Sequence, residues 1–263
     1  VDPVPPRALD VSVPAELERI CLKALSKRAS NRYATAAELA NDLQSWRSEP
    51  HQQATRRTII PKGLRSFDAT DADFFLELLP GARDREGLPQ SIRFWKTKIE
   101  ETEADKTFAV GLLYGPSGCG KSSLVKAGLL PRLCKDVIAV YVESTPDETE
   151  TRILRGLRKQ FPDLLKDLEF VEAVSALRRS EGKKVVIVLD QFEQWLHAHR
   201  GEQTTLLVDA LRQCDGEHVQ CLLMVRDDFA MAATRFMAAL DLPIVQGSNF
   251  ATIDVFDPLH ARK

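Results

Sequence analysis

The run Gly115-Pro116-Ser117-Gly118-Cys119-Gly120-Lys121-Ser122 constrains this chain more than any other stretch. It matches the phosphate-binding pattern G-x-x-x-x-G-K-[ST] at every fixed position. An apolar run of strand length, Phe108 to Tyr114, precedes it. Ser122 to Leu133 follows as a helix with Leu124, Ala127 and Gly128 on one face. Strand, glycine loop and helix in that order let main-chain N–H groups curl around a phosphate at a helix N-terminus. Lys121 is then placed to reach the β- and γ-phosphates of a nucleotide, and the Ser122 hydroxyl to sit on Mg²⁺. Gly115 to Ser123 form the candidate binding stretch. Cys119 reads as a small loop residue.

The rest of the chain has the rhythm such a loop needs. Apolar segments at Val137–Glu143, Lys184–Asp190, Gln220–Arg226 and Phe250–Phe256 alternate with amphipathic helices near 147–160, 166–180, 202–214 and 228–240. Strands apolar on both faces and separated by helices predict an α/β fold, a mainly parallel five-stranded sheet covered on both sides. Ligands of such sheets lie at the carboxyl ends of the strands, where Gly115 falls. Two further helices are expected upstream, at Asp71 to Leu79 and at Ser91 to Thr102.

Three segments after the loop carry candidate chemistry. Val185 to Leu189 ends in Asp190. A carboxylate there supplies the hard oxygen that Mg²⁺ prefers, through a water. Gln191-Phe192-Glu193 follow. Glu193 is the first candidate to orient or deprotonate an attacking water and Gln191 the second, while Phe192 belongs to the core. Arg226 ends the fourth strand. If that strand lies between those carrying Gly115 and Asp190, its guanidinium faces the γ-phosphate; otherwise it pairs with Asp227 or Asp228. Arg85-Glu86 either borders the base or forms a surface pair. His197 and His199 read as surface residues.

Residues 1–49 form a separate helical segment. Pro14 opens a helix with Leu17, Ile20, Ala24 and Leu25 on one face, and Thr35 with Glu38 has capping-box spacing ahead of a second. Residues 50–63 have linker composition. The boundaries are therefore 1–49, 50–63 and 64–263.

Composition excludes some classes. Basic and acidic residues nearly cancel, 36 against 38, so no field of one sign steers the chain to nucleic acid or a membrane. No apolar stretch has membrane-spanning length. Five cysteines without a C-x-x-C pair argue against disulfides or zinc and for the cytoplasm. A first residue of Val suggests a fragment or a processed piece.

Two resemblances refine this reading. From about Gly63 onward the chain resembles the novel STAND NTPases, a branch of the signal-transduction ATPases, through GLRSFDATDADFF, GPSGCGKSSLVKAGLLPRL, VIVLDQFEQW and LLMVRDDF. The resemblance implies ATP and Mg²⁺ as cofactors, roles for Lys121, Ser122 and Asp190, γ-phosphate sensing by Arg226, and a fourth strand between the first and third. Residues 13–48 resemble the last helices of a serine/threonine protein kinase. Arg32 matches a kinase arginine whose glutamate partner is absent, as is the kinase catalytic core, so this chain is not a kinase on its own. The pair of resemblances implies a kinase–STAND fusion that continues into sensor repeats, with ATP and ADP as ligands and self-association or contacts with those domains as partners. The expected activity is slow ATP hydrolysis as a conformational switch. A nucleotide-binding interaction module without turnover, or a fragment of a kinase gene, stay as alternatives. Glu193 and Gln191 separate the first two, because binding needs neither.

Overall fold

The computed structural model describes residues 13–27, 35–48, 66–79, 83–202 and 204–253, with isolated positions 6, 10, 32, 33 and 81. The chain divides into two compact units, Val1–Gly63 and Leu64–Lys263. The proposed linker 50–63 lies outside the described residues.

In the first unit, α1 (Ala15–Ala24) and α2 (Ala36–Ser48) carry the two predicted helices. The Glu38 N–H donates to Thr35 Oγ1 at 3.2 Å, one half of the predicted capping box. Arg19 and Tyr33 both donate to Asp42, at 3.0 and 2.6 Å, and together hold its carboxyl below the usual range. Arg32 donates to the Ser26 carbonyl at 2.6 Å.

In the second unit, α3 (Ala72–Leu78) and α4 (Gln90–Glu100) lead into β1 (Val110–Gly115). Helix α5 spans 121–132, and its geometry changes twice. It is α-helical over Lys121–Ser123, π-helical over Leu124–Leu129 and 3-10 over Leu130–Arg132. Pro131 has no N–H to continue the ladder. Arg132 takes up carbonyls the irregular ladder leaves free, donating to Ala127 at 2.7 Å and Gly128 at 3.0 Å. Then come β2 (Val137–Glu143), α6 (Thr149–Gln160), α7 (Phe170–Arg178) and β3 (Lys184–Asp190). The last elements are α8 (Glu193–Ala198), α9 (Leu206–Leu211), β4 (Val219–Arg226), α10 (Ala230–Ala239) and β5 (Phe250–Thr252). The predicted remainder of the last strand, from Asp254, lies outside the described residues. Helix α8 has no counterpart among the predicted helices.

The five strands run in the order β2-β3-β4-β1-β5, and every pairing is parallel. The predicted α/β architecture is the one observed. Alternation along each strand builds two cores. Val185, Ile187 and Leu189 face one core with Ile153, Val174 and Leu207, whereas Val186 and Val188 face the other with Phe75, Ile92, Trp95 and Leu124. This parity sends Asp190 to the face that α5 covers.

Candidate functional site

The loop between β1 and α5 depends on glycine where the backbone and the space demand it. Gly118 and Gly120 have φ of 76° and 93°, in the left-handed region that residues with a Cβ resist. A Cβ on Gly115 would lie 2.3 Å from the Ile253 carbonyl oxygen and 2.6 Å from Cys119 Sγ. Pro116, Ser117 and Gly118 are exposed and Cys119 is buried. Lys121 folds back over the loop, its Nζ donating to the carbonyls of Gly115 at 2.6 Å and Pro116 at 2.8 Å. Ser123 points elsewhere. Its hydroxyl is buried and accepts the Phe67 N–H at 3.1 Å, which fastens the 66–68 segment to α5.

Asp190 at the end of β3 is 2% exposed. Ser122 Oγ donates to Asp190 Oδ2 at 2.6 Å. The Tyr141 hydroxyl, from β2, donates to the same oxygen, and the Gln191 N–H donates to Oδ1 at 2.8 Å. Burial, then the neighbouring Asp190 charge, pushes the Tyr141 phenol above its ordinary range, so it stays a donor. Sequence reasoning missed Tyr141. Within an apolar strand it carries no signal, because only strand pairing brings it to Asp190.

Gln191 has φ of 54°, a conformation uncommon for a residue with a side chain and one that concentrates at functional sites. Its Oε1 accepts from Gln194 Nε2 at 2.6 Å. Phe192 is buried and stacks on Trp195 with centroids 5.4 Å apart, as core packing requires. Glu193 opens α8. Its Oε2 is buried and has no hydrogen-bond partner, a costly state for a carboxylate oxygen. His197 is exposed as expected. His199 is not a plain surface residue, since it stacks on Trp195 at 4.3 Å and its Nδ1 lies 3.1 Å from the Trp195 carbonyl.

Strand β4 lies between β3 and β1, and Arg226 is the register partner of Gly115. The side chain nevertheless turns to Asp228, with Nε at 3.0 Å from Oδ1 and a second bond to Oδ2. Both the placement and the alternative ion pair considered from sequence are therefore present. Arg85 and Glu86 occupy the tight turn Asp84 to Gly87, closed by the Gly87 N–H on the Asp84 carbonyl at 3.0 Å. They line a cavity of about 710 Å³ with Arg83, Arg93 and Lys96.

Ser122 and Asp190 offer hydroxyl and carboxylate oxygens, the donor type that Mg²⁺ takes. Asp190 keeps an acceptor position on Oδ1, and Glu193 Oε2, three residues on in sequence, is an unmatched acceptor. The residues fit a hard divalent cation. No helix among the described residues is long and apolar enough to cross a membrane.

Comparison with known proteins gives three results. The serine/threonine-protein kinase PknB of Mycobacterium tuberculosis is 50% identical over 107 residues, and that of Mycobacterium leprae is 36% identical over 104. Each match covers 40% of this chain and 15% of the relative, so this chain spans a small part of those proteins. Among solved structures, the Walker-type ATPase PABY2304 of Pyrococcus abyssi is 18% identical with a TM-score of 0.44, over 70% of this chain and 59% of that one. A family model, Novel STAND NTPase 1, matches residues 62–248, which include the glycine loop, Asp190, Glu193 and Arg226, and the chain belongs to that family.

Proposed function

We propose that this chain binds Mg-ATP at residues 115–123 and Asp190 and hydrolyses it slowly, with the nucleotide state as a conformational switch. One observation carries the reading. The Ser122 hydroxyl and the Asp190 carboxylate, 68 residues apart, meet at 2.6 Å at the mouth of the glycine loop. A serine and an aspartate so joined fit the two protein ligands that Mg²⁺ uses beside a phosphate loop.

Each residue has a distinct task. The loop amides of 117–122 hold the β-phosphate, and Gly118 and Gly120 supply the curvature. Lys121 leaves the Gly115 and Pro116 carbonyls for the β- and γ-oxygens, which offer it full charges in place of dipoles. Ser122 and Asp190 hold the metal, which when bound offsets negative charge on the phosphate oxygens. Glu193 takes the proton of the attacking water, or orients that water, through its unmatched oxygen. Arg226 exchanges Asp228 for the γ-phosphate and so reports whether that phosphate is present.

The second reading, a nucleotide-binding interaction module without turnover, draws on the Arg226–Asp228 pair, which keeps the arginine engaged within the protein. The similarity to PknB supports a fusion with a kinase in a longer protein.

Titration of a fluorescent ATP analogue with Mg²⁺ against wild type and Lys121→Ala tests the central claim. Binding is expected to vanish in the variant, and equal affinity would refute the site.

A further inference from the structure

We propose that Tyr141 is a positioning residue that locks the Asp190 carboxylate for a water-mediated contact with Mg²⁺ and so sets the metal selectivity of the site. The inference rests on the reading of Asp190 as the metal-side carboxylate.

The geometry comes from the pairing of β2 with β3. Tyr141 is the register partner of Val188, and Glu143 that of Asp190. Tyr141 packs with the same core as Val186 and Val188, on the face toward which Asp190 projects. Its hydroxyl donates to Asp190 Oδ2, the oxygen that also accepts Ser122 Oγ. Oδ1 accepts the Gln191 N–H at 2.8 Å.

An ionised carboxylate has about four acceptor positions. Tyr141, Ser122 and Gln191 fill three, and the remaining one is on Oδ1. The three donors come from β2, α5 and the turn after β3, so the carboxylate cannot rotate without breaking bonds to separate elements. The aromatic ring is itself held, with Lys126 Nζ 4.6 Å from its centroid and bonded to Glu143 at 3.0 Å.

A carboxylate fixed in this way, with one acceptor position left, suits the water of a hydrated cation better than a direct bond to the cation. Mg²⁺ gives up its waters reluctantly and demands octahedral geometry, whereas Ca²⁺ accepts direct, flexible carboxylate ligation. Removal of the Tyr141 hydroxyl opens a second acceptor position, on Oδ2, and leaves only Ser122 and Gln191 to hold the carboxylate. The site then loses its match to hydrated Mg²⁺ and tolerates Ca²⁺.

The test uses Tyr141→Phe in the full chain. The substitution keeps the ring and its contact with Lys126, and a thermal melt without metal reports whether the fold is intact. Binding of a fluorescent ATP analogue is titrated with Mg²⁺ and, separately, with Ca²⁺. The Mg²⁺ midpoint is expected to rise about tenfold or more, the size of one lost hydrogen bond to a charged group, while the Ca²⁺ midpoint stays or falls. A purely structural role would shift both midpoints together with the melt, and that result overturns the proposal, as does an unchanged Mg²⁺ midpoint. In an Asp190→Asn background the Tyr141→Phe change is expected to add nothing. An undiminished shift there would show that Tyr141 acts through another group. If wild-type binding ignores both cations, the metal reading of Asp190 fails first and takes this proposal with it.

Discussion

Arg226 grips Asp228 with two hydrogen bonds although its backbone lies opposite Gly115 in the parallel register of β4 and β1. The two side chains are 41% and 51% exposed, so the pair itself contributes little to stability. Its importance is competitive, because a γ-phosphate and Asp228 would claim the same guanidinium.

Arg226→Ala is therefore expected to lower ATP affinity about tenfold or more, the value of a charge-assisted contact, and to leave ADP affinity unchanged. Asp228→Asn is expected to act in the opposite direction and widen the preference for ATP. Calorimetry with both nucleotides measures this. An equal fall for ATP and ADP in Arg226→Ala would assign the arginine to the fold.

Glu193→Gln is expected to keep Mg-ATP bound and to slow turnover about a hundredfold, the low end for loss of a general base. Single-turnover phosphate release gives the rate. Turnover at the wild-type rate would remove Glu193 from the chemistry and leave Gln191 as the candidate.

Gly115→Ala is expected to cost about 1–3 kcal/mol of stability, the usual penalty for forcing extra volume into a packed site. The new methyl would meet the Ile253 carbonyl and Cys119 Sγ, and the carbonyl is backbone that cannot turn aside. Urea denaturation reads the loss. A variant as stable as wild type would mean that the β1 end and the 253 segment separate easily.

Lys184 gives a prediction in pH. Burial, only partly opposed by Asp215 and Glu101, lowers its amine from 10.5 to about 8. Below that value the amine is charged in both the folded and the unfolded chain, and the folded state carries the full cost of burying it. Between about 8 and 10.5 the unfolded chain binds more protons, so stability rises with pH. Cys214 and Cys221, raised by burial from 9.0, act with the opposite sign from about pH 9 upward, and Tyr114, raised from 10.0 to about 12, does so from about pH 10. Comparison with Lys184→Met isolates the lysine. Wild type is expected to gain on the variant by about 1 kcal/mol per pH unit between pH 8 and 10. A constant difference in urea denaturation across that range would contradict it.

What the sequence by itself determined was local chemistry and local rhythm. The glycine pattern, an apolar run before it and a helix after it named the loop. The strands Val137–Glu143 and Lys184–Asp190 were legible to the residue, because each apolar run is bounded by charge. Tertiary structure decided everything that depends on partners distant in sequence. Strand order put β4 beside β1 and set Arg226 opposite Gly115, while a side-chain turn gave its guanidinium to Asp228. Pairing of β2 with β3 brought the Tyr141 hydroxyl to Asp190, 49 residues away. The π-helical stretch of α5 arose where Leu124 to Leu129 pack under Phe75 and Ile92, a contact that no local pattern encodes. The physical reason is common to these cases. Periodicity fixes which face of an element is buried, and only the packing of whole elements fixes which polar groups then meet.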